Sequence, residues 1–186
     1  MKLSVFSRTS ERKSDPKKNR RQGEIPGVIY GLNQANQNVT IKKEELDAIL
    51  RTLGKGLLPT TVFELQEGSH KLKVLIKEIQ YQPATYQVLH IDFLRLSDDE
   101  PVTVNVPIQI LGLAECVGVK GGGFLRQVIR SLKVSCLPKD IPKEFTLDVR
   151  ELDIAQSKTL GDIAIPERVK PLAKLTEVAA VIAKKV

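Results

Sequence analysis

The sequence predicts a mainly β protein with a few helices: a small N-terminal β-barrel followed by a second β-rich domain. Three observations carry this reading. Apolar residues alternate at period two through much of the chain, as half-buried strands require. Glycines and prolines cut these runs at short intervals. Aromatics are scarce and tryptophan is absent, so the cores must be built from Val, Ile and Leu.

The first elements follow in order. "LSVFS", Leu3 to Ser7, alternates weakly and reads as a short strand. Arg8 to Gln22 is polar and basic with one proline, so it reads as a loop, or as a helix that forms only on a partner. "GVIYG", Gly27 to Gly31, is a short strand between glycines. "QNVTIKK" puts Val39 and Ile41 on one face of another strand. "EELDAILRTLG" spaces Leu46, Ile49, Leu50 and Leu53 along one side of an α-helix, with Gly54 as its stop.

"TTVFELQ" and "KLKVLIKEIQ" flank "EGSH", a hairpin signal with Gly68 available for positive φ. Leu72, Val74 and Ile76 share one parity while Ile79 and Tyr81 have the other, which predicts a bulge near Lys77–Glu78. In "QVLHIDFLRL", Leu89, Ile91 and Phe93 take one face, and His90 and Asp92 the other. Residues 1–96 thus hold five or six strands and one clear helix, and a small barrel closes such a sheet without edges.

"SDDEP", Ser97 to Pro101, is polar and ends in proline, so the boundary is placed there: domains 1–96 and 97–186. Beyond it, "VTVNVPIQI" alternates cleanly, and "LRQVIRSLKVSCLP", "FTLDVREL" and "LTEVAAVIAKKV" are strand-like. "EVAAVIAKK" also suits a helix, because alanine favours one.

The formal net charge is +7. Residues 1–96 carry sixteen basic against ten acidic groups; residues 97–186 carry thirteen against twelve. The first 21 residues alone carry eight basic and two acidic groups. This asymmetry points to a polyanion-binding half and a near-neutral half.

Several chemistries are excluded. "GVKGGGF" lacks the terminal Lys-Ser/Thr of a phosphate loop, and Arg126 stands where a dinucleotide fingerprint needs glycine. It reads as a turn. Cys116 and Cys136 form no CxxC pair, and His70 and His90 lie far from them, so zinc spacing is unmet. They read as buried free thiols of a reducing cytoplasm, a disulfide remaining possible. His90 and Asp92 have no nucleophile or metal cluster to work with, so no catalytic site and no cofactor are expected. No apolar run reaches the roughly 20 residues of a membrane span, and the N-terminus has no secretory h-region. The basic segment before "GEIPGVIYG" suits RNA phosphates, Arg adding a planar fork to its charge.

The residues resemble a family at this point. Arg8, "RRQGEIPGVIYG", "IKEIQYQP" and "LHIDFLRL" fall in the order of the bacterial large-subunit ribosomal proteins that bind 5S rRNA. "VPIQILG", "GVKGGGFL", "VSCLPKDIP" and "LDVREL" are similar to the second domain of the long, two-domain form, the general stress protein Ctc family. Asn19 stands where the family usually has an aliphatic residue, and Gly27 where alanine is common.

The resemblance implies a barrel that grips an internally looped 5S rRNA helix from its minor-groove side. The implied basic contacts are Arg8, Lys13, Lys17, Lys18 and Arg20; the implied sheet-face contacts are Tyr30, Gln80, His90 and Asp92, with Arg95 the next candidate. It implies a structural, non-enzymatic protein of the large subunit in the cytoplasm. Its partners are 5S rRNA and, through residues 97–186, neighbouring ribosomal proteins, with no membrane and no small-molecule substrate. The competing reading is a stress-linked regulatory RNA-binding protein acting partly off the ribosome.

Overall fold

The computed structural model describes residues 1–8, 15–32, 34–54, 56–68 and 70–184. It divides into two compact units, Met1–Glu100 and Pro101–Val186. Asp98, Asp99 and Glu100 therefore count with the first unit. That changes the charge comparison: sixteen basic against thirteen acidic residues in the first unit, net +3, and thirteen against nine in the second, net +4. Total charge does not distinguish the halves; only its placement does.

In the first unit, β1 (Lys2–Ser7) is followed by a helix, α1 (Asp15–Arg21). Of the two sequence alternatives for residues 8–22, loop or helix, residues 15–21 take the helix, and residues 9–14 lie outside the described residues. Pro16 lies in the first turn, where its missing N–H costs nothing, with acidic Asp15 beside it. Lys18, Arg20 and Arg21 crowd the last turn, where cations complement the helix dipole. Then come β2 (Glu24–Gly31), β3 (Gln34–Lys42) and α2 (Lys43–Thr52). The α2 helix buries Leu46 and packs Ile49, Leu50 and Leu53 on the core. It ends differently from expectation: Leu53 leaves the helix in extended geometry, and Gly54 is not in the left-handed region.

The unit finishes with β4 (Val62–Glu67), β5 (His70–Tyr81) and β6 (Val88–Arg95). Gly68 has φ +57° at the β4–β5 turn, the geometry that favours glycine. The six strands close into a barrel in the order β1-β3-β2-β6-β5-β4. Closure rests on two parallel pairs, β1 with β4 and β2 with β6. Where β2 meets β6, Gly27 removes a side chain that has no room: a Cβ there would stand 2.9 Å from the Ile91 carbonyl oxygen. Phe63 and Phe93 fill the interior with Leu3, Ile29, Ile41 and Leu65, all fully buried. Burying each such side chain contributes about 1.5–3 kcal/mol.

Two bulges shape the β5–β6 pair. One falls between Ile76 and Glu78, as the parity change predicts. The other skips Leu89: Gln80 pairs with His90, then Tyr81 with Val88. So Val88 joins the core rather than Leu89, which the simple alternation had placed there.

The second unit holds β7 (Val102–Leu111), a one-turn helix α3 (Val117–Lys120), β8 (Gly123–Gln127), β9 (Ser131–Cys136), β10 (Phe145–Asp148), β11 (Ser157–Thr159), β12 (Lys170–Pro171) and β13 (Val178–Lys184). "LRQVIRSLKVSCLP" is thus two strands, and "EVAAVIAKK" is a strand, not a helix. Its alternation buries Ala180 and Ile182 with Ala179, and burial outweighs the helix propensity of alanine. The strands form two open sheets, β10-β7-β9-β12 and β11-β13-β8. Cys116 and Cys136 are buried free thiols; the Cys116 thiol donates to the Leu152 carbonyl at 3.2 Å. Burial, and then nearby Asp140, push the Cys136 thiol above its ordinary value.

Candidate nucleic-acid interface

Strands β2, β6 and β5 lie side by side, so their outward residues form one surface. Ile29, Ile91 and Phe93 point inward; residues of the opposite parity point out. Register then fixes the neighbours: Val28 and Glu78 flank Asp92, Gln80 lies opposite His90, and Tyr30 is beside Leu94. The bulge before Glu78 is what brings Glu78 and Gln80 into step with Asp92 and His90.

The His90 Nδ1 and an Asp92 carboxylate oxygen are 2.8 Å apart. With Nδ1 protonated, that bond orients the ring and leaves Nε2 outward. Burial raises the Tyr30 phenol above its ordinary value, and the Asp92 and Glu78 carboxylates add to the effect. Tyr30 therefore stays a neutral O–H donor near neutral pH. The face offers donors and acceptors together: Tyr30, His90 and Asp92 are half-buried, and Glu78 and Gln80 are exposed.

The cations stand beside this face. Arg20 donates from Nε to the Leu89 carbonyl at 3.0 Å. Leu89 lies just before the first β2–β6 pair, Gly27 with Ile91, and the next β2 residue on that side, Pro26, has no N–H to offer it. The Arg20–Leu89 bond fastens α1 next to His90 and leaves the two terminal guanidinium nitrogens of Arg20 outward. Lys17, Arg20, Arg21 and Lys43 line a shallow groove with Gln82, Gln87 and Leu89. Lys18 lines a second groove with Arg8, Asn19 and Thr40, where Asp15 and Glu24 also stand. Among the described residues, no carboxylate is paired with Lys17, Lys18, Arg20 or Arg21.

Two expected contacts sit differently. Arg8 is half-buried along β3: its Nε donates to the Val39 carbonyl at 3.2 Å, and its Nη1 is buried without a partner. Arg95 sits deeper than the other candidates. It shares the inward parity of Ile91 and Phe93, is 8% exposed, and donates to the Ala35 carbonyl and Gln37 Oε1. It is nearly buried at the barrel rim, where it lines an open groove with Gln34, Lys71 and Asp98. Lys13 lies outside the described residues. The sequence reading missed Glu78, although the parity change it used also marks that position. It missed Asn38 too, which pairs with Val28 and whose carbonyl accepts from the Arg8 N–H.

Residues 3–93 match the Ribosomal L25p family, and residues 101–185 match the family described as "Ribosomal protein TL5, C-terminal domain". Proteins named large ribosomal subunit protein bL25 are similar over the full length of both chains: 45% identical in Chlamydia muridarum, 44% in Chlamydia trachomatis serovar L2 and 42% in Chlamydia pneumoniae. With its barrel, its second β-rich unit and these relatives over its whole length, the chain belongs to the bL25 family of large ribosomal subunit proteins, in the two-domain form.

Proposed function

We propose that the first unit binds 5S rRNA, with α1 supplying phosphate contacts and the outward face of β2, β6 and β5 reading the RNA. The family is structural rather than enzymatic and works on the ribosome in the bacterial cytoplasm. One observation carries the proposal: cations that pair with no carboxylate among the described residues are bonded, through Arg20 and Leu89, to the edge of a face bearing Tyr30, Gln80, His90 and Asp92. Phosphate contacts give affinity and register, and edge contacts give discrimination. A wide RNA minor groove exposes 2′-hydroxyls that both donate and accept, which suits a face mixing Tyr30, Gln80 and two carboxylates.

The test is a competition titration of the full chain with 5S rRNA and with unrelated RNA of equal length. A preference of at least about a hundredfold, lost in the His90→Ala, Asp92→Ala double variant, supports the reading. Equal affinity for both RNAs overturns it and leaves a nonspecific polyanion binder. Sedimentation with 50S particles during growth and stress separates a resident subunit protein from a regulator that acts off the ribosome.

A further inference from the structure

We infer that the second unit captures an extended, acidic segment of a neighbouring protein by adding it as a strand between β7 and β8. This goes beyond RNA binding by the barrel and does not depend on it.

The second unit has open strand edges. β8 has one strand neighbour, β13. The Val128 N–H donates to the Ala179 carbonyl, so Val128, Arg126 and Phe124 spend their backbone groups on β13. The alternate residues, Leu125 and Gln127, aim theirs the other way, where β8 has no strand. β7 has a matching gap. Its ladder with β9 runs from Val102 to Pro107, and one further bond joins the Ile108 N–H to the Arg130 carbonyl. Beyond that, β7 pairs only with β10, and Leu111 accepts from Val149 on that side. Ile110, of opposite parity to Leu111, turns its N–H and carbonyl away from β10.

These two edges border one groove. Ile108, Gln109, Ile110, Leu113, Phe124, Leu125, Arg126, Gln127 and Arg130 line it. One end is tied shut, because Gln127 Nε2 donates to the Ile108 carbonyl at 3.0 Å. Phe124 is 50% exposed and Leu113 is 45% exposed, so the walls keep apolar surface in water. Arg126 and Arg130 are exposed on the rim and pair with no carboxylate among the described residues.

The chemistry selects the occupant. Free backbone donors and acceptors on a strand edge match another polypeptide backbone, and pockets beside them take alternate side chains. The apolar walls favour Val, Ile or Leu at every second position. The two free guanidinium groups favour carboxylates at the positions between, and they also keep a second copy of this basic chain away. RNA fits less well, because it offers no repeating N–H and C=O to satisfy the two edges.

The probe is a blocked peptide of about nine residues alternating Val and Glu, added to the full-length chain and followed by amide NMR and hydrogen exchange. The Leu125, Gln127 and Ile110 amides are expected to gain protection of at least tenfold. Peptide N-methylated at alternate amides is expected to give none. The R126E, R130E double variant, which changes only rim side chains, is expected to bind at least tenfold more weakly while keeping wild-type spectra elsewhere. Leu125→Pro, which removes one edge N–H at a position facing no strand, gives a second check on the same prediction. No protection at saturating peptide overturns the proposal, as does undiminished binding by the double variant. Protection by oligouridylate with an inert peptide overturns it in favour of an RNA groove.

Discussion

The two units contain similar numbers of residues and carry nearly equal net charge, yet they present opposite kinds of surface. The first closes its sheet into a barrel, so its backbone groups are spent on neighbouring strands. It can recognise a partner only through side chains on a face. The second leaves its two sheets open, so backbone groups stand at the edges of β7 and β8. A closed sheet suits the irregular surface of a folded RNA, where shape and scattered polar groups matter. An open edge suits a chain with a regular backbone repeat. Sheet topology, more than charge, separates the two roles.

The largest expected effect breaks the closed unit alone. Phe93→Ala removes a fully buried ring from the barrel and should cost about 3–5 kcal/mol. Calorimetry should show the barrel transition falling while that of the second unit stays in place. Next, residues 1–100 alone should bind 5S rRNA within about a hundredfold of the full chain, some 2.8 kcal/mol. A larger drop in affinity would move the main RNA-binding surface into the second unit.

Asp92→Ala sharpens the comparison within the face. It removes an acceptor and frees His90. Cognate 5S rRNA binding should weaken by about 1.5–3 kcal/mol, the value of a charged hydrogen bond, while binding to unrelated RNA rises slightly. Parallel increases for both RNAs would make Asp92 a mere repulsive charge. Arg20→Ala should weaken both RNAs alike and flatten the log–log salt slope by roughly 0.7 to 0.9 for each phosphate that Arg20 neutralises. An unchanged slope with lower affinity would mean that Arg20 stacks or reads a base. Because its bond to Leu89 lies at the surface, fold stability should change by less than about 1 kcal/mol.

The smallest effect belongs to the second unit. Asp162 accepts from the Thr159 N–H, and this bond holds its carboxyl below the ordinary range, with the Thr159 hydroxyl and Lys158 adding to it. A lowered folded pKa means that the stabilisation is present above the unfolded value, about 3.9, and is lost as pH falls through the folded one. The group is solvent-exposed, so the loss should stay under about 1 kcal/mol. Acid titration of Asp162→Asn against the parent, read by the second unit's transition, checks it.

Period-two alternation was enough to find most strands, because a strand with one buried face writes its parity into the sequence. It also located the first bulge, where parity changed. It failed at Leu89, because a bulge that skips one residue near a strand end leaves too few residues to show a new phase. It failed at α1, whose residues bury nothing and so carry no apolar stripe. For the candidate site, parity and motif together singled out Tyr30, Gln80, His90 and Asp92, which the register places on neighbouring strands. The near-burial of Arg95 was not read from the sequence, although its parity with Phe93 points inward. Its two hydrogen bonds come from β3, about sixty residues away in sequence, and no local pattern records them.

The parallel pairing of β2 with β6 sets an order in time during synthesis. Tyr30 lies beside Leu94, so the polar face does not exist until β6 has emerged some 60 residues after β2. At about 5–20 residues per second, that is a wait on the order of 3 to 12 s. Throughout it, α1 lacks the Leu89 carbonyl that anchors Arg20. A nascent chain therefore carries its cations early but gains the means to discriminate only when the barrel closes. That moment arrives before most of the second unit has been made, so the face proposed to read RNA is complete while the ribosome is still extending the chain.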